Sequence, residues 1–228
     1  MTRQTLHRLH RSQRAIGYVL TTLFVVTLGS PAASFAQGGA KPASPPAKPA
    51  GGTAKPGAAS ATPTPDPALG PMLVLETVKG TIYVQLFAKE APKSVEQVVR
   101  LTKGNFYNQQ KVHRVVAGQI VQFGDKQSRD ATLREWWGKG ANSGSGKPIG
   151  VSEVSKTRKH KAGTVAMAHP GDVRSSDSQI YIALRPMPNL DGKHNIIGEV
   201  KSGMAIVPKL AVADIIKKVT VIEAPAGT

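Results

Sequence analysis

Cysteine is absent from all 228 residues. No disulfide framework, thiolate metal site, cysteine nucleophile or cysteine-linked lipid anchor is therefore open to this chain. Acidic side chains are scarce, 14 against 30 Lys and Arg, leaving a formal net charge of +16. Such an excess raises nucleic acid or an anionic surface as a partner. Aromatics make up only 5%. They are not interleaved with a basic run, as stacking on single strands requires, and no nucleic-acid motif is found, so no nucleic acid is expected. No apolar run reaches the ~20 residues of a bilayer-spanning helix. Catalytic signatures are missing too. His113, His160, His169 and His194 contain no pair at metal-ligand spacing on one element, and there is no Gly-x-Ser-x-Gly elbow. Gly140 to Lys147 approaches a phosphate loop, but Pro148 stands where Ser or Thr is needed, so it reads as a flexible loop. No metal or cofactor is expected.

What is present divides into three parts. Arg3, Arg8, Arg11 and Arg14 precede an apolar stretch from Ala15 to Gly29 and the small-residue run Ala32-Ala33-Ser34-Phe35-Ala36. That is the pattern of a secretory signal cut after Ala36. The competing reading is an uncleaved anchor with its positive start inside. Either way, residues 37–228 are expected outside the cytoplasm, periplasmic or secreted. Membrane contact is expected only through the N-terminal segment if it is uncleaved. Residues 37–70 hold 9 Ala, 8 Pro and 6 Gly, with the unit Ala-Lys-Pro at 40–42, 47–49 and 54–56. Proline in every unit forbids a coiled coil, and the composition predicts a disordered, partly polyproline spacer. The remaining charge of about +10 falls on residues 71–228, so the pI says less about a polyanion partner than it first suggests.

The folded domain is therefore expected within 71–224, with 225–228 as a tail. Met72–Val78 and Thr81–Phe87 read as strands joined by Lys79-Gly80. Pro92 opens a helix and Gly104 closes it, with Val95, Val98, Val99 and Thr102 facing inward. Val112–Val116, Ile120–Phe123, Thr164–Ala168, Gln179–Leu184, Asn195–Val200 and Ile215–Ile222 read as strands, and Met204–Ala211 as a short helix that Pro208 limits to an early turn. Residues 124–162 form a long polar loop with Trp136-Trp137 as its large anchor. Many short strands with few helices predict a mainly β sandwich or closed barrel.

The informative stretch is Val112-His113-Arg114-Val115-Val116-Ala117-Gly118-Gln119-Ile120-Val121-Gln122-Phe123-Gly124-Asp125. It resembles the Phe-His-Arg … Gln-Gly-Gly-Asp segment of the cyclophilin family of peptidyl-prolyl cis-trans isomerases. Gly163-Thr164-Val165-Ala166-Met167-Ala168, Ser178-Gln179-Ile180-Tyr181-Ile182, Leu190-Asp191-Gly192-Lys193-His194 and Ile197-Gly198-Glu199-Val200 resemble its later segments, in the same order. The resemblance covers nearly all of 72–223. It implies an eight-stranded antiparallel β-barrel capped by two short helices and rotation about X–Pro bonds of proline-containing unfolded or loop segments of exported proteins. It places Arg114 as catalytic donor and Gln122 as its amide partner. His113, Gln119, Ile120, Ala168, His169, Gln179, Tyr181, Leu190 and His194 are placed along the peptide groove. The chain also departs from the family. Gln119 stands where an aromatic opens the pocket, Ile120 for a methionine-like position, Tyr181 for phenylalanine, and Asn189 for a frequent tryptophan. His169-Pro170 replaces Asn-Ala and Phe123 replaces a glycine. These changes predict weaker activity or a different residue preference. A groove that binds proline segments without turnover is the alternative, and a basic surface for an anionic polymer or nucleic acid is the third. No oligomer signal is present, and a monomer is expected.

Overall fold

The computed structural model describes residues 62–140 and 143–225. The signal-like segment, most of the Pro-rich stretch and the last three residues lie outside them. Its strands are β1 (Met72–Thr77), β2 (Gly80–Leu86), β3 (Gln110–Lys111), β4 (Arg114–Val116), β5 (Ile120–Phe123), β6 (Thr164–Met167), β7 (Ile180–Ala183), β8 (Ile196–Ser202) and β9 (Ile215–Ile222). They form one antiparallel sheet in the order β3-β9-β1-β2-β8-β6-β7-β5-β4. Its two outermost strands are consecutive in sequence, separated only by Val112 and His113. The Val112 N–H bonds to Asp214 on the β9 side, whereas the His113 N–H bonds to Gln122 in β5. Residues 110–116 thus behave as one strand that changes partner at a dipeptide. Counted so, the sheet has eight strands and curls until its ends meet.

Alternation along the strands separates two apolar clusters. Val121 and Phe123 of β5, Val165 and Met167 of β6, Ile180 and Ile182 of β7 and Ile197 of β8 point into the enclosed core. Ile120, Ala166, Tyr181, Ala183 and Ile196 point the opposite way and join Phe87 and Met187 in a second, outward cluster. Burial on both faces explains why these strands read as continuous apolar runs.

The helix α1 (Pro92–Lys103) runs as expected and buries Val95, Val98, Leu101 and Thr102 against the core. Proline at its first position suits a turn whose N–H groups have no helical partner. The free N–H groups of Lys93 and Ser94 are taken at 2.8 Å each by the carboxylate of Glu153, from the long loop. Glu153 in turn donates its backbone N–H to Asn195 Oδ1, and Asn195 Nδ2 bonds Ser94 Oγ.

Two expectations are corrected. The helix read over Met204–Ala211 is a single 3-10 turn, Val207–Lys209, because Pro208 lacks the N–H that a continuing helix needs. Val207 and Leu210 nevertheless plug the core. The first hairpin loop is Val78-Lys79, one residue earlier than read, since Thr77 pairs with Gly80. Thr77 Oγ1 fixes that turn by donating to Gly80 O and accepting from Lys79 N.

The long loop between β5 and β6 is pinned at several points. Asp125 is fully buried and accepts from the N–H groups of Gln127 and Gly138. Trp137 is 6% exposed and donates its indole N–H to Asp130 O, while Trp136 is 61% exposed. Asp177 gathers Ser145 Oγ, Gly146 N and Gln97 Nε2. Ser145 and Gly146, from the stretch resembling a phosphate loop, thus bond a carboxylate, an arrangement that repels phosphate.

Candidate active site

Sheet register sets the site. Arg114 pairs with Gln122, Gln122 with Tyr181, and Tyr181 with Ala166. These four side chains therefore form one row across β4, β5, β7 and β6, with strands about 4.8 Å apart. The next row over is apolar: Val116 pairs with Ile120, and Ile120 with Ala183. A guanidinium, an amide, an aromatic ring and a methyl group thus lie in sequence, flanked by aliphatic surface.

The polar end of the row is a hydrogen-bonded chain. Arg114 Nη1 donates to Gln122 Oε1 at 3.2 Å, and Gln122 Nε2 donates to Gln179 Oε1 at 2.8 Å. Gln179 Nε2 donates to Ser143 Oγ at 3.0 Å, and that hydroxyl donates to Gly140 O at 2.8 Å. Gln122 is 7% exposed, so its amide is spatially fixed, while Arg114 is exposed and keeps donors free for a ligand. Sequence reasoning missed Ser143 and Gly138, which enter from the long loop and carry no motif.

His113 packs beneath the chain. It is 8% exposed, and neither ring nitrogen has a hydrogen-bond partner among the described residues. Burial pushes its pKa down to about 4; a nearby Gln179 favours the charged ring, and Arg114 opposes it. Gly138 sits directly against it, where an added Cβ would lie 2.9 Å from His113 Cδ2. Gly124 (φ +102°) is needed for the same kind of reason: a Cβ there would lie 2.2 Å from Ser178 O.

The apolar end holds Ile120, Tyr181 and, at its margin, Ala168 and Leu190. His194 packs its edge on Tyr181 at 5.4 Å, and His169 lies 4.4 Å from His194. His194 Nδ1 meets Met167 O at 3.1 Å, and burial first pushes its pKa down to about 4. The Tyr181 hydroxyl, buried and pushed above its ordinary pKa by desolvation, meets His160 Nε2 at 2.8 Å. His160 was not among the residues singled out from sequence. Gln119 lies in the β4–β5 turn, its backbone bonded to Val116 and Leu184, and it does not join the apolar cluster. A groove of about 550 Å³ continues alongside, lined by Gln122, Gly138, Ser143, Ala168, His169 and Gln179 among others. The structure therefore brings all the sequence-selected residues to one side of the sheet, with Gln119 at the turn. No group of three or more His, Asp or Glu suited to a metal occurs among the described residues.

Residues 72–224 match the family described as cyclophilin type peptidyl-prolyl cis-trans isomerase. A peptidyl-prolyl cis-trans isomerase of Helicobacter pylori is 35% identical over 147 residues, 64% of this chain and 83% of that protein. One from Dictyostelium discoideum is 37% identical over 139 residues, 60% of this chain and 83% of that protein. Among solved structures, a cyclophilin-type isomerase of Cryptosporidium parvum superposes with a TM-score of 0.58 at 21% identity, covering 68% of this chain and 99% of that one. That likeness concerns the fold. Together with the family match over the whole sheet, it makes this chain a member of the cyclophilin-type peptidyl-prolyl cis-trans isomerases.

Proposed function

We propose that the protein is an exported isomerase that accelerates X–Pro rotation in unfolded or loop segments of extracytoplasmic proteins, through a proline pocket altered at its mouth. The observation that carries this reading is the row Arg114–Gln122–Tyr181–Ala166. Rotation about X–Pro must break amide conjugation against a barrier of about 20 kcal/mol. In the twisted state the proline nitrogen becomes pyramidal and gains a usable lone pair. A fixed cation aimed at that nitrogen stabilises the transition state more than the ground state. Arg114 supplies it with a planar, always charged fork, and Gln122 holds one arm of that fork at 3.2 Å. Gln122 and Gln179 offer amide groups to the neighbouring peptide. Ile120, Tyr181 and Leu190 grip the ring while the other half of the chain turns, and Ala168, His169 and His194 edge the peptide path. No proton transfer is needed, which suits His113 as a neutral brace.

The alteration is Gln119. An amide in place of an aromatic removes about 1–2 kcal/mol of apolar burial around the ring. This same feature favours the second reading, a groove that holds proline segments without useful turnover. Export rests on the residues before Gln37.

The test is isomerisation of a panel of X–Pro peptides by the purified protein and its Arg114→Ala variant. Acceleration by the native protein, lowered about 100-fold by the substitution, is expected from loss of a transition-state donor. Peptide affinity with no rate effect anywhere in the panel, or an unchanged rate in the variant, would sink the enzyme reading. N-terminal sequencing of the protein recovered from the producing cells checks export: a start at Gln37 supports cleavage, and an intact Met1 on protein released from the cytoplasmic fraction refutes export.

A further inference from the structure

Tyr181 presents a problem that its surroundings solve. It is 3% exposed, yet it carries a hydroxyl on the apolar side of the site. A buried hydroxyl without a partner is costly and turns toward any acceptor it can find. Here the partner is His160, itself 2% exposed, whose Nε2 lies 2.8 Å from the hydroxyl. The two ring planes are 7° apart. At the other end, His160 Nδ1 lies 2.9 Å from Asp191 Oδ1, and the same oxygen accepts the His160 backbone N–H at 2.7 Å. Lys159 Nζ stands 4.0 Å from the other carboxylate oxygen. His160 N–H is also the leading cause that holds Asp191 below the usual carboxylate range.

The donor and acceptor count then allows one arrangement. An ionised Asp191 only accepts, so Nδ1 carries the ring proton. Nε2 is left bare and must accept, so Tyr181 O–H donates. Every polar atom is satisfied and the tyrosine ring is held from its far end.

We propose that His160 and Asp191 are positioning residues for the proline pocket, which fix the Tyr181 ring through a Tyr–His–Asp hydrogen-bonded chain. This rests on the isomerase reading above. The groups facing His160 are Tyr181, Asp191 with Lys159 behind it, and the ring of His194.

Two measurements on the full-length protein decide it. Long-range proton–nitrogen NMR at pH 7.5 should show His160 protonated at Nδ1 with Nε2 bare; the opposite tautomer overturns the proposal. In exchange spectroscopy on an Ala-Pro peptide, His160→Leu should lower kcat/KM about tenfold, mainly through KM, as expected for an orphaned buried hydroxyl. In a Tyr181→Phe background, the same substitution should change kcat/KM less than about twofold, because no hydroxyl remains to be held. An equal loss in both backgrounds marks a merely structural histidine and overturns the proposal. Should His160→Leu fail to fold, Asp191→Asn serves in the same cycle with the same expected pattern. A protein with no acceleration at all refutes the isomerase reading instead, and the tautomer still decides the hydrogen-bonded chain.

Discussion

Arg114 and Gln119 mark the two ends of what a single residue contributes here. Arg114→Lys keeps the charge but loses the planar fork that Gln122 orients. At least a tenfold fall in kcat with little change in KM is expected, read from saturation kinetics. Gln119→Phe should act in the other direction. It restores apolar area at the pocket mouth and should raise kcat/KM about tenfold, mainly by lowering KM. His113 carries a stability signature. Its pKa is about 4 in the folded protein against an ordinary 6.5, so between those values the unfolded chain binds more protons. Its contribution is complete above about pH 6.5 and is lost as pH falls through 4. His194 adds in the same sense, whereas Asp125, whose carboxyl burial raises, runs the other way. The urea midpoint should therefore drop from pH 7 to 4.5, and His113→Asn should flatten that slope. At this scale much was readable in advance. Arg114 and Gln122 stand in a dense run of motif residues, and register then placed them face to face. His160 was not readable, because it lies 21 positions from Tyr181 and its partnership exists only once β7 is laid beside the loop.

Helix α1 shows how elements depend on distant chain. Its first N–H groups are capped by Glu153, about sixty positions downstream. Glu153→Ala should lower stability by about 1–2 kcal/mol in thermal or chemical unfolding, since it removes a charged cap at a positive helix end. Glu153→Gln should recover part of that loss. The helix itself was legible from Pro92, Gly104 and the spacing of its valines. Its cap was not, because the sequence offers Ala91 where a capping side chain would stand. The short strand β3 was likewise missed, since two residues, Gln110 and Lys111, carry no period to read. Strands β5 to β8 were found because apolar residues on both faces give unbroken runs, but alternation alone could not say which face was core and which was pocket. Over Met204–Ala211, Pro208 already marks an early turn as the limit, and the structure keeps the single turn Val207–Lys209.

At the scale of the whole molecule, the chain before β1 is part of the fold's stability. Asp66 N–H donates to Gln85 Oε1, and Gln85 Nε2 donates to Gly70 O. Ala88 N–H donates to Leu69 O, and Leu69 packs on the outward apolar cluster. Gln85 is fully buried, so a chain beginning at residue 71 leaves it short of partners. It should unfold at a lower urea concentration than one beginning at residue 62, by about 1–3 kcal/mol of orphaned amide. The strand 110–116 that changes partner at Val112–His113 has a consequence for the company the protein keeps. A protein proposed to handle unfolded chains meets extended backbone that seeks any free sheet edge. Here the edges are strands of two and three residues, already tied to each other through a dipeptide. They offer almost no ladder for a client to join. Under the proposed function, clients would be received by side chains around one proline and released, without the strand exchange that would turn a helper into a seed for aggregation.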